Sequence, residues 1–511
     1  MSTLLLGIDI GTYESKGVLA TAEGQVVASA ATPHALSLPR PGWAEHDAEE
    51  VWWRDCVTLC RQLLAQSGAN PRAIAAIGVS AIAPCVLPVD AAGRPLRPAI
   101  LYGIDTRASA EVAELERTLG RDAIFAVSAL HLSSQAAGPK ILWLRRHEPE
   151  VWARTATILT GSGYLVFKLT GERVLDRYTA TAYAPLFNMH TGEWSPIMAA
   201  AITPLERLPR LAWSVEVVGR VTPTAATETG LAAGTPVIAG TADAASEALS
   251  AGLARPGDLM IMYGSSIFFI AKTERLVATD RLWAAVFLEP ETYAVAGGMS
   301  TGGSLTRWFR DQLAPNEVAA AEAGGPNAYA ALADLAASSP PGARGLVILP
   351  YFAGERTPIH DPDARGVIAG LTLSHTRADL YRALLEGVGY GIRHNVETMR
   401  ALGVAPQRIL AVGGGTRNRL WLQIVSDIAG IEQFVPDQTY GASYGDAFLA
   451  GVGIGLFRDT MQVTQWVRHA ASVRPRPEVQ VRYEAYYQVY RELYEGSAAA
   501  VHRLVGVAIN D

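Results

Sequence analysis

Residues 6–19, Leu6-Gly7-Ile8-Asp9-Ile10-Gly11-Thr12-Tyr13-Glu14-Ser15-Lys16-Gly17-Val18-Leu19, decide how this chain is read. An apolar strand carries an Asp into a Gly-Thr turn, and the chain returns as a second strand with a hydroxyl and a cation near the bend. A tight turn that points backbone N–H groups at a phosphate needs a residue without a side chain where the backbone comes closest. Gly11 meets that need, with Thr12 beside it. Asp9, at the mouth of the turn, is an acceptor-only carboxylate of the kind that Mg²⁺ takes together with phosphate oxygens and water. Alone, strand-Asp-x-Gly-Thr-strand also describes an ordinary β-hairpin. Repetition separates the two readings.

Residues 258–271 again run strand, Gly264 with the small hydroxyls Ser265 and Ser266, strand, roughly half the chain later. A third turn follows the apolar run Ile409-Leu410-Ala411-Val412 as Gly413-Gly414-Gly415-Thr416-Arg417-Asn418, and the spacing predicts a helix from near Arg419. Strand, triple Gly and helix N-terminus form a nucleotide-contact geometry, because the helix end presents free N–H groups and positive dipole. The loop lacks both the Gly-Lys-Ser/Thr ending of a P-loop and the spacing of a dinucleotide fingerprint. Two hairpins of this kind suggest duplicated halves closing on one polyphosphate.

With these three loops in place, the sequence resembles the FGGY family of carbohydrate kinases, members of the actin-like ATPase superfamily. Gly42-Trp43-Ala44-Glu45-His46-Asp47, Pro139-Lys140, Trp143 and Leu169-Thr170-Gly171-Glu172 match the family in the first half. Gly297-Gly298, Gly302-Gly303, Trp308, Pro350, Gly354-Glu355-Arg356-Thr357-Pro358 and the segment from Gly366 to Glu386 match it in the second. The resemblance implies an α/β fold of two actin-like (ribonuclease H-like) domains with a central cleft, divided here as 1–252 and 253–511. It also implies transfer of the ATP γ-phosphate to a sugar hydroxyl with a carboxylate as base.

The family places that Asp just after a strand, and Pro236-Val237-Ile238-Ala239-Gly240-Thr241-Ala242-Asp243 matches, so Asp243 is the catalytic candidate and a substrate contact. Without the family, an Asp opening an Ala-rich helix reads as an N-cap. By resemblance, Asp9 holds Mg²⁺. Gly11, Thr12, Lys16, Gly264 and Ser265 line the phosphates, and Gly303, Gly414, Gly415 and Asn418 flank the adenosine. Lys16 reads equally as a solvated charge at a strand end.

Tyr102-Gly103-Ile104-Asp105-Thr106-Arg107 resembles the family's Trp-x-Asp-x-Arg segment, which makes Asp105 and Arg107 sugar-binding candidates. An Arg fork and a carboxylate suit a polyol; a surface Asp-Arg pair at a helix start is the plainer alternative. Two departures bear on the acceptor. Gly103 stands where the family usually has Trp, and Ser80-Ala81-Ile82-Ala83-Pro84-Cys85 stands where typical xylulokinases carry Gly-Gln-Met-His-Gly. General similarity favours a pentulose such as xylulose; L-ribulose, a tetrulose, glycerol or another polyol is the alternative acceptor. A non-catalytic nucleotide-binding regulator is a further class on the same scaffold, against which stands the presence of both Asp9 and Asp243.

Composition fits this frame. A chain of 511 residues exceeds what one core normally organises. The net charge of −6, with no Lys/Arg block, argues against nucleic acid as a partner. Cys56, Cys60 and Cys85 read as buried apolar residues rather than as disulfides or a zinc site. The start lacks a basic signal region and no apolar run reaches spanning length, so the expectation is a cytoplasmic protein without membrane contact, for which a homodimer is compatible. The spacing predicts one long helix over 376–402 and a Tyr-rich packing helix over 477–505. Residues 312–343, rich in Ala, Pro and Gly, read as an insertion whose role the sequence does not give.

Overall fold

The computed structural model describes residues 3–437 and 440–508; Met1 and Ser2, which open the start segment, lie outside these. The chain forms two compact units: Met1–Ala254 with Lys272–Ala294 and Gln438–Arg468, and Arg255–Ala271 with Val295–Asp437 and His469–Asp511. The compact units are therefore not the two contiguous halves expected from a cut at 252. Packing explains the difference. The helix Ala442–Gly453 belongs to the first unit because it lies directly on that unit's central strands.

The first unit is built on a sheet in the order Val217–Arg220, Pro236–Ile238, Ile74–Ala81, Leu4–Ile10, Glu14–Thr21, Val26–Pro33, with Thr241–Ala242 also pairing Ile74–Ala81. Leu4–Ile10 is buried along its whole length, antiparallel to Glu14–Thr21 and parallel to Ile74–Ala81. Burial of both faces accounts for a strand that is apolar but for Asp9. On one face Gly17, paired with Ile8, lies against Ile8, Leu59 and Leu63, the latter two from helix Arg54–Ser67. On the other, successive side chains alternating across the strand put Gly7 and Asp9 toward helix Ala442–Gly453. A Cβ on Gly7 would sit 1.8 Å from the Ser443 carbonyl oxygen, and one on Gly78 would sit 2.1 Å from the Asp446 carbonyl oxygen. Glycine at both positions is what lets the helix backbone touch the sheet.

The second unit repeats the device. Strand Asp258–Tyr263 turns at Gly264 and returns as Ile267–Thr273, and it runs parallel to Arg408–Val412, which neighbours Gln433–Pro436. The long helix forms over Arg377–Ala401 and the Tyr-rich helix over Pro477–Ala508, where Tyr483, Tyr487 and Tyr490 are buried. The 312–343 stretch folds as helices Pro315–Glu322 and Ala328–Ala337. The three cysteines are buried and free. Among the described residues no helix is long and apolar enough to cross a membrane.

Candidate active site

Sheet register sets the site of the first unit. Asp9 lies opposite Lys16 on one side and Ser80 on the other, and Ser80 in turn lies opposite Thr241, two residues before Asp243. Ser80 Oγ stands 2.9 Å from Asp9 Oδ1 and 2.7 Å from Asp446 Oδ2, while Ser246 donates to the other Asp446 oxygen. One hydroxyl has one proton to give, so Ser80 cannot donate to both carboxyls. Asp446 is the partner that retains a proton, because burial, and then the charge of Asp9, push its carboxyl well above the ordinary range.

The neighbouring acids respond in the same way. Burial raises Asp9 to about 6 against the Ser80 hydrogen bond and Lys16. Burial, then Asp9, push Asp243 up to about 8 and Glu247 to about 7. Asp243 is the first residue of helix Asp243–Ser250 and Ala242 is its N-cap, so the N-cap role open to Asp243 in the sequence falls to its neighbour. Its Oδ1 accepts the Ala244 N–H at 2.8 Å, at the positive end of the helix dipole. Glu247, one turn on, shares its helix face.

These shifts have a measurable consequence. Carboxyls raised in the folded state hold protons that the unfolded chain releases near 3.8 to 4.5; the stability they contribute is present below that range and is lost as pH rises through about 6 to 8. Calorimetry of the ligand-free protein should show the first unit's unfolding temperature falling between about pH 5.5 and about pH 8.5. Asp446→Asn, which keeps a neutral partner for Ser80, should flatten that fall.

The remaining first-unit candidates lie as follows. Thr12 Oγ1 is 3.0 Å from the Tyr102 hydroxyl. Lys16 is nearly half exposed, with Nζ 3.3 Å from Glu14 Oε2. Asp105 and Arg107 are not a surface pair: both side chains are fully buried, with Nη2 of Arg107 2.7 Å from Asp105 Oδ2 and 2.8 Å from Glu45 Oε1. The guanidinium stacks over Trp43 at 3.9 Å, and Asp105 Oδ2 also accepts the Ala44 N–H. Of the Arg107 side-chain nitrogens, Nη1 alone lacks a hydrogen-bond partner among the described residues. Beside them, a Cβ on Gly103 would meet the Gln135 amide at 2.0 Å, so Gln135 fills the space next to the bare backbone.

In the second unit, Gly264, Ser265, Gly303, Gly414, Gly415 and Asn418 all line one cavity of about 890 Å³. The turn and the helix Gly303–Leu313 are locked together, since Gly303 N–H donates to the Gly264 carbonyl at 2.8 Å and Ser304 N–H to that of Ser265 at 2.9 Å. Asn418 caps helix Arg419–Ala429 by accepting the Trp421 N–H at 3.0 Å, which leaves its amide nitrogen for a ligand. Trp421 lies edge-on to Tyr263 in the cavity wall, and its buried Nε1 has no hydrogen-bond partner among the described residues.

Ser80, Glu247 and Asp446 were not anticipated from the sequence. The i, i+4 spacing from Asp243 carries a signal for Glu247; nothing local marks the other two. Asn327 and Tyr329 of the 312–343 stretch also line the cavity.

Residues 4–250 match the N-terminal domain of the FGGY family of carbohydrate kinases, and residues 259–454 match its C-terminal domain. The chain belongs to the FGGY family of carbohydrate kinases. As an FGGY kinase it is an ATP-dependent sugar kinase, with the mixed α/β, two-domain, actin-like fold of that family. The xylulose kinase of Staphylococcus epidermidis is 30% identical over 498 residues, covering 96% of each chain. The gluconokinase of Bacillus subtilis is 28% identical over 462 residues, covering 89% of this chain and 88% of that one. The crystal structure of the xylulose kinase from Rhodospirillum rubrum superposes with a TM-score of 0.91 at 35% identity, covering 98% of this FGGY chain and all of that one.

Proposed function

We propose that this FGGY kinase phosphorylates a pentulose, with D-xylulose as the first acceptor to test. The observation that carries the proposal is full-length similarity to xylulose kinases, the R. rubrum enzyme at 35% identity among them, together with a half-buried Asp243 whose carboxyl is pushed up to about 8. In the proposed reaction Asp243 takes the proton of a sugar hydroxyl as that oxygen bonds to the γ-phosphorus. The bond from phosphorus to the β,γ-bridging oxygen breaks, and ADP leaves with its electron pair.

Gly11, Thr12, Lys16, Gly264 and Ser265 line the phosphates in this proposal; Gly303, Gly414, Gly415 and Asn418 flank the adenosine. Arg107 offers the two N–H groups of its Nη1 to the sugar, with Asp105 fixing the guanidinium rather than meeting the sugar directly. Asp9 fits Mg²⁺: its Oδ2 makes no hydrogen bond among the described residues, and no group of three or more His, Cys, Asp or Glu among them could hold a metal, as suits an ion that draws most of its ligands from phosphate and water. Bound there, the ion would supply positive charge against the polyphosphate.

A second acceptor class is favoured by one specific observation. Ile82 and Cys85, both buried and apolar, lie in the segment where typical xylulokinases carry Gly-Gln-Met-His-Gly, and Gln135 fills the space beside Gly103, where the family usually has Trp. The experiment is ADP release from Mg·ATP across pentuloses, tetruloses, glycerol and gluconate. Turnover with D-xylulose well above the others supports the proposal; turnover confined to another acceptor replaces it.

ATP binding has its own test. Any side chain at Gly415 would begin 2.8 Å from the Trp421 ring and 2.8 Å from Tyr263 Cβ. Gly415→Val should weaken ATP binding by about tenfold or more, measured by titration calorimetry, with sugar affinity unchanged.

A further inference from the structure

His34 follows strand Val26–Pro33, and its side chain is 1% exposed. Its backbone N–H donates to the Tyr13 carbonyl at 2.9 Å, so the residue is already strapped to the first phosphate turn. Its ring makes two further contacts. Nδ1 is 2.9 Å from Asp55 Oδ2, and Nε2 is 3.1 Å from the Gly11 carbonyl oxygen. A backbone carbonyl only accepts, and an ionised carboxylate only accepts. Asp55 is ionised: burial would raise its carboxyl, but hydrogen bonds from His34, Ser15 and Arg54 outweigh burial and hold it below the ordinary range.

The ring thus bridges the carboxylate and the turn. Ser15 reaches the same carboxylate: its hydroxyl donates to that Asp55 oxygen at 2.9 Å and stands 3.4 Å from Nδ1 of His34. His46 lies beside it. Its Nδ1 accepts the Trp52 indole N–H at 3.2 Å, so it is neutral at that nitrogen, and burial, then the charge of His34, lower it to about 4. The two rings meet edge to face at 5.1 Å.

A trans peptide holds its C=O and N–H on opposite sides of one plane. Drawing the Gly11 carbonyl toward His34 therefore turns the Thr12 N–H the other way, where no backbone or side-chain acceptor meets it among the described residues. We propose that His34, held between Asp55 and the Gly11 carbonyl, is a positioning residue of this kinase: it fixes the Gly11–Thr12 peptide so that the Thr12 N–H stays presented to a phosphate of ATP. The proposal rests on the hairpin being the phosphate grip argued above. Ser15, His34 and Asp55 resemble a nucleophilic triad only in composition, since Ser15 is fully buried and gives its proton to Asp55.

The test begins with the wild-type protein. With histidine labelled in its ring nitrogens, long-range proton–nitrogen correlation should show a proton on Nε2 of His34, the nitrogen that faces the Gly11 carbonyl, in a signal that His34→Gln removes. A bare Nε2 on His34 overturns the proposal, whether or not the variant folds. In steady-state kinetics, His34→Gln should raise the KM for ATP by about tenfold and leave that for sugar within about twofold. Gly11→Ala, whose Cβ would lie 2.6 Å from the Glu14 carbonyl oxygen, separates the two levels of inference. If it raises the ATP KM and His34→Gln does not, the positioning role falls and the phosphate grip stands. If neither variant moves it, both fall.

Discussion

Asp243→Asn is expected to lower kcat by about a hundredfold to ten-thousandfold while leaving ATP affinity within about twofold of the wild type. The substitution isolates the chemistry because Asn can still accept the Ala244 N–H through its Oδ1, so the first turn of helix Asp243–Ser250 has no reason to move. What is lost is a group able to accept the hydroxyl proton. The same assignment gives a pH dependence. A carboxyl pushed up to about 8 by burial and Asp9 serves as a base only in its unprotonated form, so kcat/KM should rise as pH increases toward and through about 8. ADP release measured across that range, beside direct ATP titration of the variant, checks both statements. An Asn variant turning over within about tenfold of the wild type would remove Asp243 as the base.

The second large effect is on folding. In Gly78→Ala the new methyl would lie 2.1 Å from the Asp446 carbonyl oxygen and 2.8 Å from its carbonyl carbon. Both atoms are backbone of helix Ala442–Gly453, so no rotamer relieves the clash. Overpacking a close-packed interior typically costs about 1–3 kcal/mol, and with helix and sheet backbones in direct opposition the expected loss lies on the order of 3 kcal/mol or more. Displacing the helix also shifts Asp446 relative to Ser80 and hence to Asp9, so activity should fall with stability. Calorimetry reads the loss in the transition of the first unit. Gly496→Ala is the internal control: it lies in helix Pro477–Ala508, a Cβ there meets nothing within 4 Å, and the change should stabilise by about 0.5–1 kcal/mol. Equal stability of Gly78→Ala and wild type would mean that helix and sheet are not in contact as described.

The parts of the site that were legible in the sequence are those where the backbone itself imposes the residue. Gly11, Gly264 and Gly415 announce turns or close approaches: a Cβ on Gly11 or Gly415 would strike neighbouring atoms, and one on Gly264 would lie a tight 3.2 Å from the Ser266 carbonyl oxygen. Asn418 announces a helix start and caps one. The long helices were readable because apolar spacing persists over many turns. Other features resist local reading. Ser80 and Asp446 meet across 366 positions of sequence, and nothing near either residue foretells the other. Arg107 sits in a matched motif, but the spacing of the motif does not show that Trp43 and Trp143 enclose it. In 312–343 the run of Ala obscures periodicity, so neither the helix Ala328–Ala337 nor the cavity wall it supplies through Tyr329 could be seen.

The glycine-lined contact between helix Ala442–Gly453 and the first sheet also bears on the order in which this protein is made. Strands Leu4–Ile10 and Ile74–Ala81 emerge from the ribosome first, yet the helix that seals Gly7 and Gly78 follows some hundreds of residues later. At ordinary translation rates that interval is on the order of tens of seconds. For that time the nascent amino-terminal body has an open slot where its last helix belongs, and most of the second unit's chain is synthesised before the first can be finished. Completion therefore runs against the direction of synthesis, and a fragment ending near the middle of the chain would expose apolar sheet instead of forming an independent domain.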